Sequence, residues 1–332
     1  MNIQEAVRHS WGELWKECEI LLHESYRQAI YLAKTKSSKK RVEEPDFVAT
    51  TVINIARLAK SWERILSKYG ITLSIASIYC HQRPIVSYKS DGKNPELGDL
   101  LIIHVHHPKK GKSKRKALLL QAKMTNDITL SINPNDHQLY LYEKWPSFKF
   151  VRPKMSKVIQ VHPTYPHDGA RYLMIRKHPF HFIDYPYFMT STPNRTLHTE
   201  YNLVHELMKL LSLSGGKSFY GRKTAQNRSD WSTLVWDLLE MSFKKKAKRN
   251  NIGINSLDRL WGNGLAGLSG VCMAYNMNNS INQLTLTEIL GKEEAMKIYK
   301  ENQELNDLEG SNSNNDEEGI STILIETSET GN

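Results

Sequence analysis

Glu96-Leu97-Gly98-Asp99-Leu100-Leu101-Ile102-Ile103-His104-Val105-His106 is an apolar run with an acid at its mouth, and Ala117-Leu118-Leu119-Leu120-Gln121-Ala122-Lys123-Met124 is a second, with a Gln and a Lys near its end. Both have the length and bulk of buried strands. Side chains alternate across a strand, so Gln121 and Lys123 point to one face. A Lys beside a sheet core is costly unless something compensates for it. A cation held by carboxylate and amide oxygens, with the Lys beside a reacting group, is one arrangement that does so.

The surrounding elements read outward from these two runs. Trp11, Leu14, Trp15, Cys18, Leu21, Leu22, Ser25, Ala29 and Leu32 recur at helical spacing and predict one long N-terminal helix, followed by a basic linker over Lys34 to Lys40. A second helix is expected from Pro45, with Val48, Val52, Ile55, Leu58, Ala59, Trp62, Ile65, Leu66 and Tyr69 on its apolar stripe and Gly70 as its stop. Ile71 to Ile78 alternates as a strand. The basic stretch Pro108 to Lys116 joins the two opening runs as a hairpin-like loop. A short helix is predicted over Pro134 to Trp145, and Ala170 to Ile175 is a candidate strand. The resulting order is helix, strand, strand, strand, helix, strand. Beyond Pro193 the stripes around Tyr201–Leu211 and Trp231–Leu239 are helical, and Thr287 to Gln303 is a further expected helix.

Asp99 and the pair Gln121, Lys123, taken with that order, resemble the PD-(D/E)xK nuclease superfamily, in which Gln121-Ala122-Lys123 matches the QxK form of the second motif. The resemblance spans about residues 43 to 142. It implies an α/β fold: a restriction-endonuclease-like central mixed sheet flanked by helices, here with an N-terminal helix and helical C-terminal additions. It also implies a Mg2+- or Mn2+-dependent deoxyribonuclease, as in stand-alone proteins of bacterial antiviral defence. Asp99 is then the main metal ligand, Gln121 an uncharged ligand through its amide oxygen, and Lys123 the group that orients the attacking water or stabilises phosphoryl charge. A further acid is expected on the helix opening at Pro45, and Glu44 falls in line with its buried stripe. Gln138 and Tyr142, four residues apart on one helix face, are similar to the Q-x-x-x-Y element of RecB-like nucleases, which positions phosphate or metal-bound water. Lys112, Lys114 and Arg115 of the basic loop, and the run Lys244 to Arg249, are candidate phosphate contacts.

The expected organisation is residues 1–40 as N-terminal helix and linker, 41–190 as nuclease core, 191–302 as a mainly helical region and 303–332 as an acidic tail, disordered up to Gly319, after which Ile320 to Ile325 can pair as a strand. The chain of 332 residues carries a net charge of +10, and its last 32 residues hold nine acids and no Lys or Arg, which leaves a body of +19. So basic a body suits a polyanion. DNA is the expected partner, and RNA is the open alternative because nothing in the sequence reads a 2′-hydroxyl. A homodimer or a defence-complex partner protein is expected, since cutting both strands of a duplex requires two sites. Three widely spaced Cys without CxxC, no signal-like N-terminus and no apolar run of spanning length predict a cytoplasmic protein with no membrane partner. The rival reading is a non-catalytic, basic nucleic-acid-binding or complex-forming protein that keeps the fold, favoured by the missing charge at Gln121.

Other patterns fail for lack of context. Gly262 to Gly267 spells GxGxxG without a preceding strand, and Ser214 to Ser218 lacks the leading Gly of a P-loop. His104, His106 and His107 lack the Cys–His spacing of a zinc site and read as packed or exposed strand histidines.

Overall fold

The computed structural model describes residues 1–36, 41–55, 57–80, 84–88, 94–151, 157–162, 168–178, 186–228, 230–243, 266–268, 271–274 and 319–330. The helices used below are α1 Ile3–His9, α2 Trp11–Lys36, α3 Glu44–Ile55, α4 Leu58–Leu66, α5 His137–Lys144, α6 Leu203–Leu211 and α7 Trp231–Phe243. One sheet holds the strands β1 Ile71–Ile78, β2 Leu100–His107, β3 Lys114–Thr125, β4 Ala170–Arg176, β5 Phe188–Ser191, β6 Tyr201–Asn202, β7 Lys217–Ser218, β8 Ala266–Leu268, β9 Val271–Ala274 and β10 Ser321–Glu329.

Strand order is β6-β5-β4-β3-β2-β10-β1-β9-β8, with β7 paired to the start of β3. The sheet is mixed. β2 and β3 are antiparallel with Leu100 opposite Leu120, whereas β3 and β4 are parallel with Gln121 opposite Tyr172, and α5 lies on the crossover between them. Both faces are covered, which is why the central strands are apolar along most of their length rather than alternating with polar residues. Leu118, Leu120 and Ala122 of β3 pack under α1 to α4 and α6; Ala117 and Leu119 pack under α5 and α7. The protein is thus α/β, with a mixed central sheet between helical layers, as expected.

The expected order helix, strand, strand, strand, helix, strand is present as α3/α4, β1, β2, β3, α5, β4. Gly70 stops the helical segment in the left-handed region at φ 71°. Two expectations change. The helix drawn from Pro45 to Tyr69 is two helices and a final 3-10 turn, because each helix answers a different part of α2. Asn54 at the end of α3 donates to Ser25 Oγ at 3.0 Å and Gln28 Oε1 at 2.7 Å, while Trp62 of α4 donates to the Leu14 carbonyl at 3.0 Å.

The larger change is β10. The acidic tail assigned to 303–332 does not continue to the end of the chain: Ser321–Glu329 is a strand in the middle of the sheet, antiparallel to β1 and parallel to β2. Ile320, Ile323, Leu324 and Ile325 are buried by both helical layers. The basic run Lys244 to Arg249, the expected helix Thr287 to Gln303 and the acidic stretch 303–318 lie outside the described residues. No helix among the described residues is long and apolar enough to cross a membrane.

Candidate functional site

The site lies where β2 begins and β3 ends. The Asp99 amide donates to the Leu120 carbonyl at 2.9 Å, so the ladder continues one residue past β2 and sets Asp99 opposite Gln121. Asp99 is 7% exposed and Gln121 1% exposed. Asp99 Oδ2 accepts from the Ala122 amide at 2.7 Å and from Gln121 Nε2. The residue before Asp99 has to be small: a Cβ at Gly98 would stand 2.8 Å from Leu119 Cδ1 and 3.1 Å from the Tyr142 hydroxyl.

Gln121 commits its amide nitrogen to the carboxylate, and its other end then has no match. Gln121 Oε1 is buried and meets no hydrogen-bond donor. A buried acceptor left this way costs about 1–3 kcal/mol. Rotating the amide would satisfy nothing in the absence of a ligand, since two oxygens would then face each other across Asp99 and Gln121.

Lys123, two residues on, is half-buried on the same face as Gln121. Its Nζ donates to Gln138 Oε1 at 2.9 Å. Gln138 sits in the first turn of α5, which Asp136 caps by accepting from the Leu139 amide at 2.9 Å. Among the described residues Lys123 has no ion pair, so its one close partner is neutral and leaves donors for other oxygens.

Glu44 opens α3 and comes in from the other helical layer. Its Oε1 accepts from the Met124 amide at 2.8 Å. Ala122 and Met124 are two residues apart on one strand, so their amides point to the same edge, the one β2 leaves open. Asp99 and Glu44 therefore cap successive amides beyond the start of β2. Those amides are about 6.6 Å apart.

The structure thus brings Asp99, Gln121, Lys123, Gln138 and Glu44 to one end of β3. Tyr142 stands apart from the expected phosphate contact. It is buried, donates to the Leu97 carbonyl at 2.8 Å and stacks on Trp145 with ring centroids 5.6 Å apart. Burial first, then Tyr172 and Asp99, hold its phenol well above the ordinary range. It therefore supports the Leu97-Gly98-Asp99 turn from beneath. Lys112, Lys114 and Arg115 are also away from the site. Lys114 begins β3 nine residues before Lys123, about 30 Å along the strand. Sequence reasoning missed the backbone amides of Ala122 and Met124, which orient both carboxylates. The sequence carries no sign of them beyond Gly98 marking a close approach next to Asp99.

The donor set is all oxygen, the preference of Mg2+ or Mn2+ rather than zinc. Among the described residues no three His, Cys, Asp or Glu side chains cluster as a metal would need. The third oxygen donor here is an amide, and the orphaned Gln121 Oε1 is the atom that fits a hard cation. The strand histidines pack as expected: His104 joins the Leu210 carbonyl and Thr327, and His107 joins Glu326. Compared with family models, curated proteins and solved structures, the chain matches none.

Proposed function

We propose that this chain is a metal-dependent nuclease with a restriction-endonuclease-like core, hydrolysing DNA phosphodiester bonds. The observation that carries the reading is the buried Asp99–Gln121 pair with its unmatched amide oxygen, placed beside Lys123 on one face of the sheet. The strand order supports it. With β10 set aside, β1, β2 and β3 form an antiparallel series and β4 joins in parallel through α5.

Asp99 is the direct metal ligand in this reading, Gln121 Oε1 is a neutral one, and Glu44 acts through water. A bound Mg2+ or Mn2+ supplies Lewis-acid polarisation of the phosphoryl oxygens and lowers the pKa of a bound water. Lys123 directs a donor at the attacking water or at a non-bridging phosphate oxygen, and Gln138 holds it there. Tyr142 and Gly98 keep Asp99 in register with Gln121. The +19 body draws the polyanion in, and the far hairpin with Lys112, Lys114 and Arg115 serves a duplex running along the sheet rather than the reacting phosphate. Cleavage of both strands calls for a homodimer. Antiviral defence in the cytoplasm is the setting that goes with such an enzyme.

A second reading has its own observation. Asp99 Oδ2 already accepts two N–H donors, as a structural carboxylate does, and a basic, non-catalytic nucleic-acid-binding protein would keep that arrangement. Incubation with supercoiled plasmid and Mg2+ or Mn2+ separates the two. Wild-type protein is expected to nick or linearise the plasmid, and Lys123→Ala to slow this by about 10²–10⁴-fold, while both bind DNA alike. Plasmid retarded on a gel but left intact by wild type and variant alike supports the second reading instead.

A further inference from the structure

Three polar side chains at the β2–β3 hairpin, far from the candidate site, are joined in a row. His106 and Lys114 form the last pair of the ladder, so His107 and Ser113 are the next residues across. Ser113 Oγ lies 2.9 Å from His107 Nδ1, and His107 Nε2 lies 2.6 Å from Glu326 Oε1 on β10. Glu326 is 3% exposed, whereas Ser113 and His107 are half-buried. A Cβ on Gly111, two residues before Ser113, would meet nothing within 4 Å, so the turn is open to solvent. Lys114, next to Ser113, is about 30 Å from Lys123 along β3, which makes this group separate from that site.

The protons have one consistent arrangement. A carboxylate only accepts, so His107 Nε2 carries a hydrogen and donates it to Glu326. In the neutral ring Nδ1 is then the bare nitrogen, and the Ser113 hydroxyl donates to it. A hydroxyl on the bare nitrogen of an imidazole, whose other nitrogen is bonded to a buried carboxylate, is the wiring of an activated serine. Such a triad is recognised by geometry and roles, not by fold or chain order. Here the serine meets Nδ1 and the acid meets Nε2. The surroundings are cationic: Pro108 to Lys116 holds six Lys or Arg and no acid, and Lys110, Lys112 and Lys114 are exposed. Positive charge there favours a developing oxyanion and an anionic substrate.

We propose that Ser113, His107 and Glu326 form an esterase-like site, acting on carboxylic esters that carry a phosphate or carboxylate group. Ser113 Oγ bonds to the ester carbonyl carbon while its proton passes to His107 Nδ1. The ester C–O bond breaks, and His107 gives that proton to the leaving alkoxide. Water then attacks the acyl-serine, its proton passing through His107 to Ser113 Oγ. The sum is ester plus water giving acid plus alcohol. Glu326 positions the imidazole and stabilises its protonated form. This activity is independent of the nuclease reading.

Full-length protein is treated near neutral pH with a fluorophosphonate, which phosphonylates activated serines in preference to ordinary ones, and the modified peptide is mapped by mass spectrometry. Ser113 is expected to carry the label. Ser113→Ala should abolish it, and His107→Gln should slow it by about 10²–10⁴-fold. Glu326→Gln should move the pH midpoint of labelling downward, because the imidazolium loses its carboxylate. An unlabelled wild type overturns the proposal, as does label retained in Ser113→Ala or an undiminished rate in His107→Gln, and an unmoved midpoint removes Glu326 from the site. If His107→Gln fails to fold, Ser113→Cys decides: its thiol should react with iodoacetamide well below the ordinary thiol pKa of about 8.5, and ordinary thiol behaviour overturns the proposal. Faster turnover of p-nitrophenyl hemisuccinate than of p-nitrophenyl acetate supports the anionic class, and equal rates overturn that preference.

Discussion

Gln121 is the residue on which the metal reading turns, because it is an amide where a second carboxylate would bring charge. Its Nε2 donates to Asp99, and Oε1 is left unmatched. Gln121→Glu replaces the donor with a second buried carboxylate facing the first. Like charges so close cannot both ionise without cost, so the pair retains a proton or the fold weakens. In EDTA this variant is expected to melt below the wild type at neutral pH. Mg2+ should then raise its melting temperature by more than it raises that of the wild type, because a cation relieves the repulsion and gains a charged ligand. Differential scanning calorimetry with and without Mg2+ checks this, and equal Mg2+ shifts in the two proteins would remove the cation from the site. Asp99, Gln121 and Lys123 were legible in the sequence because each stands at a fixed place on a strand whose apolar run announces it. Tyr142 was not, since a tyrosine four residues from Gln138 reads the same whether its hydroxyl meets a phosphate or, as here, the Leu97 carbonyl.

At the scale of elements, the pairing of β2 with β10 carries a polar seam inside an apolar sheet. His104 Nε2 and His106 Nδ1 share Thr327 Oγ1, at 2.8 and 2.9 Å, and His106 Nε2 reaches Glu329 at 3.2 Å. Burial is the largest cause that pushes the His104 pKa down, to about 3, with His106 adding to it; burial likewise lowers that of His106. The unfolded chain takes up these protons near pH 6.5, whereas the folded chain does so at lower pH, well below in the case of His104. Between those values the unfolded state binds more protons, so stability rises with pH there and falls as the solution is acidified. Each such histidine costs up to about 1.4 kcal/mol per pH unit within its window. Urea unfolding at pH 7, 6 and 5 should show this loss, and His104→Gln, which cannot titrate, should flatten the slope. A slope unchanged by that substitution would place the acid sensitivity elsewhere. β1 to β4 and α5 were legible because their apolar patterns end at clear turn residues. The division of the Pro45–Tyr69 helix was not, because its cause, the hold of Ser25, Gln28 and Leu14 on Asn54 and Trp62, lies on a different helix.

For the whole molecule, the decisive segment is the one the composition hides. Seven of the nine C-terminal acids fall in residues 301–318 and suggest a solvated tail, yet Glu326 and Glu329 are built into the sheet against His107 and His106. Ile75 of β1 faces Ile325 of β10, 250 residues later, and nothing local states which two strands β10 will separate. The alternation over Ile320 to Ile325 shows that a strand is there but not where it goes. Its position fixes how it contributes. β10 is laddered along both edges, from Ile71 to Ile78 on one side and from Leu100 to His107 on the other. Burial of Ile320, Ile323, Leu324 and Ile325 at about 1.5–3 kcal/mol each is worth roughly 6–12 kcal/mol, comparable with the whole net stability of a typical domain, about 5–15 kcal/mol. A chain ending at Glu318 should therefore lose its cooperative melt and become sensitive to protease, whereas one ending at Thr330 should behave as the full-length protein does. Because β1 and β2 would keep their own helical cover, a separate peptide of residues 319–332 is expected to restore the melt of the shorter chain when added in excess. Circular dichroism during thermal unfolding reads all three cases. If the chain ending at Glu318 melted cooperatively at the full-length temperature, β10 would be an accessory to the sheet and not its centre, and the α/β core would have to be complete without it.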